Sequence, residues 1–111
     1  MHARELVDDY FKGMSGVHTN NNAVLTIFGL ALGGDDFTKT IGNTVAMGLD
    51  NDCNAATAGS LFGACYGFGS IDKIWYEKFN NKIHSYLIDL PLFYIDDVLN
   101  RFTALAKQHW E

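Results

Sequence analysis

Ala55, Gly59 and Gly63 recur every four positions inside a stretch, 53–71, that carries no charge. Glycine costs about 1 kcal/mol relative to alanine inside a helix, so a repeat of this kind predicts a helix packed very closely against a neighbour. The stretch is bounded by Asp52 and Asp72 and interrupted by Asn54, Thr57, Ser60 and four glycines. It therefore reads as a soluble helix rather than a sustained apolar membrane span.

The rest of the chain supplies partners for that helix. Residues 2–12 read as a short helix with Leu6, Val7, Tyr10 and Phe11 on one side and Gly13 as its stop. The polar run 18–22 offers capping side chains before a segment, 23–32, that is apolar almost all round and predicts a buried central helix. Gly33-Gly34 ends it, and Asp35 or Asp36 caps a third helix through Phe37, Ile41, Val45 and Ala46. The small-residue helix runs from about Asn54 to Tyr66 and ends at Gly67 and Gly69. Ser70-Ile71-Asp72 starts a short helix through Trp75 and Phe79, whose aromatic rings are expected in the core, as is Cys65. Residues 80–92 lack periodicity, contain the single proline, Pro91, and read as an irregular crossing. A last helix, from about Tyr94 to Lys107, places Ile95, Val98, Leu99, Phe102, Leu105 and Ala106 at helical spacing. No strand alternation is evident, so the expectation is an all-α fold, a small orthogonal helical bundle forming one domain over 1–111.

A chain of 111 residues can bury a real core, and 48% hydrophobic residues with 19% charged exclude disorder. The net charge is −5 and the eight basic residues are scattered, which disfavours nucleic acid as a partner. Cys53 and Cys65 lack metal spacing; on one helix they lie about 18 Å apart, too far for a disulfide. Free thiols and the absence of a signal peptide at the start predict a cytoplasmic location.

Chemistry concentrates in Gly48-Leu49-Asp50-Asn51-Asp52-Cys53-Asn54-Ala55. Two carboxylates one residue apart do not share a helix face, but they can converge on a turn entering a helix. Asp52 sits where an N-cap belongs. Capping and cation binding are both open to this pair: two close carboxylates repel unless neutralised, and a hard divalent cation with oxygen ligands is the common remedy. An EF-hand is rejected, because its sixth position is Ala55 rather than glycine and its twelfth is Leu61 rather than glutamate.

The block from Gly48 to Ala64 resembles the hallmark of the ADP-ribosylglycohydrolase family, which includes the dinitrogenase-reductase-activating glycohydrolases and the J1 crystallins. His18-Thr19 with Asn22-Ala23 resembles the helix start that precedes it, and 81–87 resembles the segment downstream. The resemblance implies the C-terminal portion of an all-helical hydrolase fold with a two-metal magnesium or manganese site acting on the glycosidic bonds of ADP-ribose or ADP-ribosylated substrates. By that resemblance Asp50, Asp52 and Cys53 are metal ligands, while His18 and Asn22 contact substrate.

The departures are Leu49 for the usual Gly or Trp and Asn51 for the usual Thr. The family's remaining ligands come from a Thr/Asp-Asp motif upstream, together with a catalytic acid, and this chain is expected to begin after them. Gly34-Asp35-Asp36 is read as helix capping rather than as their replacement. A lone copy is accordingly expected to be poorly active or inactive, completed by a complementing N-terminal chain or a homo-oligomer. The alternative is a non-catalytic helical interaction module or a crystallin-like structural one.

Overall fold

The computed structural model describes residues 2–110, with side chains from Arg4 to Trp110. The chain divides into two compact units, 1–72 and 73–111, each treated by itself. It is mostly helical, as the periodicity predicts, with α1 at His2–Tyr10, α2 at Thr19–Gly33, α3 at Phe37–Ala46, α4 at Asn51–Tyr66 and α5 at Ile95–Trp110. Among the described residues, no helix is long and apolar enough to cross a membrane.

The first unit holds α1 to α4, and its helix ends follow local chemistry. His18 caps α2 with Nδ1, which accepts from the Asn20 amide at 3.2 Å, and Gly34, at φ 63°, ends the helix in a conformation that excludes most side chains. Asp36 caps α3 by accepting from the Lys39 amide at 2.9 Å, so Gly34-Asp35-Asp36 serves as a helix connection. The α4 helix starts three residues earlier than expected. Asp50 occupies its N-cap position without a side-chain capping bond, and Asp52 lies in the first turn.

The core gathers Val7, Leu25 and Met47, with Phe11, Val24 and Phe28 packed against them. Phe62 and Ala58 of α4 are fully buried, and Phe62 meets the ring of Phe37 edge-on at 5.3 Å. The tightest helix contact is not where the small-residue repeat of α4 pointed. It lies between α2 and α3, where Gly29 faces Thr44 and Gly33 faces Thr40. A Cβ at Gly33 would stand 2.5 Å from the Thr40 Cα and 2.6 Å from its amide nitrogen, so backbone approaches backbone. At Gly59 of α4 the nearest atom would be the flexible Ile41 Cδ1 at 3.3 Å, and at Gly63 it would be Ile71 Cδ1 at 4.0 Å. Both threonines are fully buried, and the Thr44 hydroxyl donates to the Thr40 carbonyl at 2.7 Å, which satisfies its donor within the helix.

The central helix is not covered all round. Leu25, Thr26 and Gly29 of α2 are buried, whereas Ile27 and Leu32 are exposed at 62% and 59%. With α1, α3 and α4 as its neighbours in this unit, the helix is left with an apolar stripe facing solvent. Cys65 is exposed as well, rather than in the core.

A single 3₁₀ turn, Phe68–Ser70, follows α4 in the first unit, and in the second unit two more, Lys73–Trp75 and Glu77–Phe79, stand where the short helix was expected. Trp75 and Tyr76 are half-buried and Phe79 is exposed, so the aromatic run is only partly packed. The stretch read as irregular contains a small antiparallel hairpin, with β1 at Lys82–His84 and β2 at Leu92–Tyr94 in the register Lys82↔Tyr94, Ile83↔Phe93 and His84↔Leu92. Three residues per strand are too few for an alternating pattern to register. Asn81 joins hairpin to helix: its Oδ1 accepts from the Asp96 amide at 3.0 Å and its Nδ2 donates to the Asp96 carboxylate at 3.1 Å.

Candidate metal centre

The turn between α3 and α4 sets the acidic pair. Gly48 (φ 73°) and Leu49 (φ 58°) both lie in the left-handed region, and Asp50 then enters α4 at φ −80°, ψ 55°. The turn lets Asp50 point back toward the side chains of the first helical turn. One ligand atom from each of Asp50, Asp52 and Cys53 lies within 4.8 Å of the others, with Asp50 half-buried and the other two exposed. The three predicted ligands are thus brought together.

Asn22, predicted from the neighbouring helix, reaches the same place. Its Nδ2 donates to Asp50 Oδ2 at 2.5 Å, tying the first turn of α2 to the start of α4. The Oδ1 of the same amide is buried and has no hydrogen-bond partner. A buried acceptor left unmatched costs about 1–3 kcal/mol, so this atom favours a donor or a cation beside Asp50. His18 stands one turn before Asn22, exposed, with its Nδ1 engaged as the α2 cap; only Nε2 remains for another partner.

Charge shapes the thiol. Asp50 accepts a hydrogen bond from Cys53, and the negative charges of Asp50 and then Asp52, with a small desolvation, push the Cys53 thiol above its ordinary value. Without a counterion the group therefore stays a protonated thiol. A divalent ion reverses that balance, because a coordinating thiol is deprotonated outright.

A cavity of about 370 Å³ opens beside the cluster between α2 and α4, lined by Thr19, Asn22, Thr26, Cys53, Asn54 and Thr57 among others. Asn54 is 1% exposed and its Nδ2 has no partner. Thr19, Asn54 and Thr57 were not singled out as site residues from the sequence. The signal was present in the spacing: on an α4 that starts at Asn51, positions 53, 54 and 57 share the face turned to α2.

A family model described as ADP-ribosylglycohydrolase matches residues 2–108. The chain belongs to the ADP-ribosylglycohydrolase family. The match runs through both units, so the hairpin and α5 belong to the family sequence as much as the acidic turn does. No curated protein and no solved structure matches the chain.

The chemistry of the donor set fits a hard divalent cation. The two carboxylates are hard ligands suited to magnesium or manganese, and the thiol is a softer addition. Three protein ligands on one side leave the rest of an octahedral shell open.

Proposed function

We propose that this chain forms one wall of a divalent-cation site that hydrolyses glycosidic bonds of ADP-ribose. The observation that carries the reading is the convergence of Asp50, Asp52 and Cys53 within 4.8 Å, in a chain of the ADP-ribosylglycohydrolase family. Asp50 and Asp52 would hold magnesium or manganese, with Cys53 as a third ligand. A bound cation would supply Lewis-acid hold on ribose hydroxyls and a water acidified toward neutral pH. The protein's own contributions follow from geometry. Asn22 fixes the Asp50 carboxylate through its Nδ2 while offering Oδ1 to a donor, and Asn54 presents an unused Nδ2 to the adjoining cavity. That cavity is where the sugar would sit, within reach of Thr19 and Thr57.

Among the described residues this is the one group of three or more acidic, histidine or cysteine side chains close enough to share an ion. Three ligands on one side hold a cation weakly, so the chain by itself binds weakly and turns over poorly, with the rest of the shell filled by water or by oxygens of another segment or chain. The same incompleteness favours, as second reading, a helical module that keeps the fold without catalysis.

Calorimetric titration with manganese and with magnesium distinguishes the two. The parent chain binds weakly, and Asp50→Ala or Asp52→Ala each lowers affinity by about tenfold or more, the scale seen even for loss of an outer-shell partner. Equal heats in parent and both variants would remove the cation role and leave the non-catalytic reading.

A further inference from the structure

We infer that Leu49 is a positioning residue of the acidic turn: its side chain, seated against Gly16, sets the direction in which the Asp50 carboxylate leaves the turn. The role deepens the divalent-cation reading and rests on it for its purpose; the geometry stands without a cation. Between the buried Met47 and Asp50 stand Gly48 and Leu49, both in the left-handed region. Gly48 has no side chain, and nothing lies within 4 Å of where one would begin. Of the two, Leu49 alone can register the turn against the rest of the first unit. A Cβ at residue 16 would lie 3.2 Å from the Leu49 Cδ2, tighter than ordinary carbon contact, so the seat exists because that residue is glycine. Val7, Phe11, Met14 and Asn21 line the cavity of about 210 Å³ that Leu49 and Gly16 share.

The seat and the carboxylate are anchored to the same turn of helix. Asn21, 3% exposed, donates from Nδ2 to the Ser15 carbonyl at 2.8 Å, which holds the loop that receives Leu49 onto the start of α2. Asn22, the next residue, donates from its own Nδ2 to the Asp50 carboxylate. Successive helical residues point about 100° apart, so Asn21 and Asn22 steady residues 49 and 50 from two directions. Arg4 fixes the other end of the turn, donating from Nη1 to the Met47 carbonyl at 2.9 Å. Glycine at position 49 would adopt φ 58° more readily than leucine, but it would leave Asp50 without that register.

NMR of the full chain without added metal reads the Asn22 side-chain amide. In the parent, the Nδ2 proton given to Asp50 should stand apart from its geminal partner and exchange slowly. Leu49→Gly should lose both features with Tm within about 4 °C of the parent, because Leu49 is already 41% exposed and glycine takes this φ without strain. Leu49→Met, which refills the seat, should regain them. Manganese titration should follow the same order: about tenfold weaker in Leu49→Gly, the scale of losing an outer-shell partner, and close to the parent in Leu49→Met. An Asn22 signature that survives in Leu49→Gly, or one that vanishes only together with a large fall in Tm, overturns the role of Leu49. So does unchanged manganese affinity in Leu49→Gly when Asp50→Ala lowers it. Equal heats in the parent, Leu49→Gly and Asp50→Ala remove the cation reading, while loss of the Asn22 signature in Leu49→Gly still upholds Leu49 as the residue that orients Asp50.

Discussion

Replacing Gly33 with alanine tests the close contact between α2 and α3 at its least forgiving point. The new Cβ would stand 2.5 Å from the Thr40 Cα and 2.6 Å from its nitrogen, whereas carbon atoms settle at about 3.5–4.0 Å. These are backbone atoms, so no rotamer change relieves the overlap and the two helices must part by about 1 Å. Overpacking of a close-packed core costs about 1–3 kcal/mol, and the displaced Thr40 and Thr44 place this case at the upper end. The alanine recovers at most about 1 kcal/mol of helix propensity, leaving a net loss of about 2 kcal/mol. In a unit of this size that lowers Tm by about 10 °C. Gly42→Ala provides the control. It lies within α3 with nothing within 4 Å of an added Cβ, so it should raise stability by up to about 1 kcal/mol. Thermal unfolding followed by circular dichroism reads both variants. If Gly33→Ala melts at or above the parent, the backbone-to-backbone packing of α2 on α3 is refuted.

Alkylation of Cys53 should lag behind that of Cys65 at neutral pH and catch up only well above the ordinary thiol range, since the acidic neighbours hold Cys53 protonated. Asp50→Asn should speed it, as read by mass spectrometry of peptides labelled over a pH series; an unchanged rate would separate the thiol from the carboxylate. Asp36→Asn should leave stability nearly unchanged at low pH and reduce it at neutral pH. The Asp36 carboxyl is held below its usual 3.8 chiefly by the Lys39 amide, so its contribution is present above that value and is lost as pH falls through the lowered one. A gap between the two unfolding curves that persists into strong acid would contradict the cap.

The helices were legible because their signals are local. Residues such as Gly13, Gly34 and Gly67, all at positive φ, mark stops that glycine alone supplies cheaply, and Asp36 caps as its position beside Phe37 predicts. What failed was long-range. Gly59 and Gly63 look like a close-contact stripe, yet Gly29 and Gly33, hidden in a run of apolar residues, hold it. Neighbour identity is not encoded in the spacing of small residues, only the permission for one to come close. The hairpin escaped because Leu92, Phe93 and Tyr94 are apolar throughout and Lys82–His84 is too brief to alternate. Asp50, Asp52, Cys53 and Asn22 were legible through resemblance, and the structure gathers them. Thr19, Asn54 and Thr57 emerged only from the packing of α2 beside α4, since they line the cavity that the two helices share. Cys65, Ile27 and Phe79 were expected inside on apolarity alone, and each is exposed because no element of its own unit covers it.

Two consecutive residues turned to the left before Asp50 have a cost that falls at an instructive moment. A leucine held there gives up about 1–2 kcal/mol that a glycine would keep, and that expense is met while α3 and α4 close on one another. The direction of the Asp50 carboxylate is consequently decided when the chain folds, with Asn22 as its stop. Whatever later settles against that carboxylate need not order it first, so little of its affinity is drained into arranging the loop.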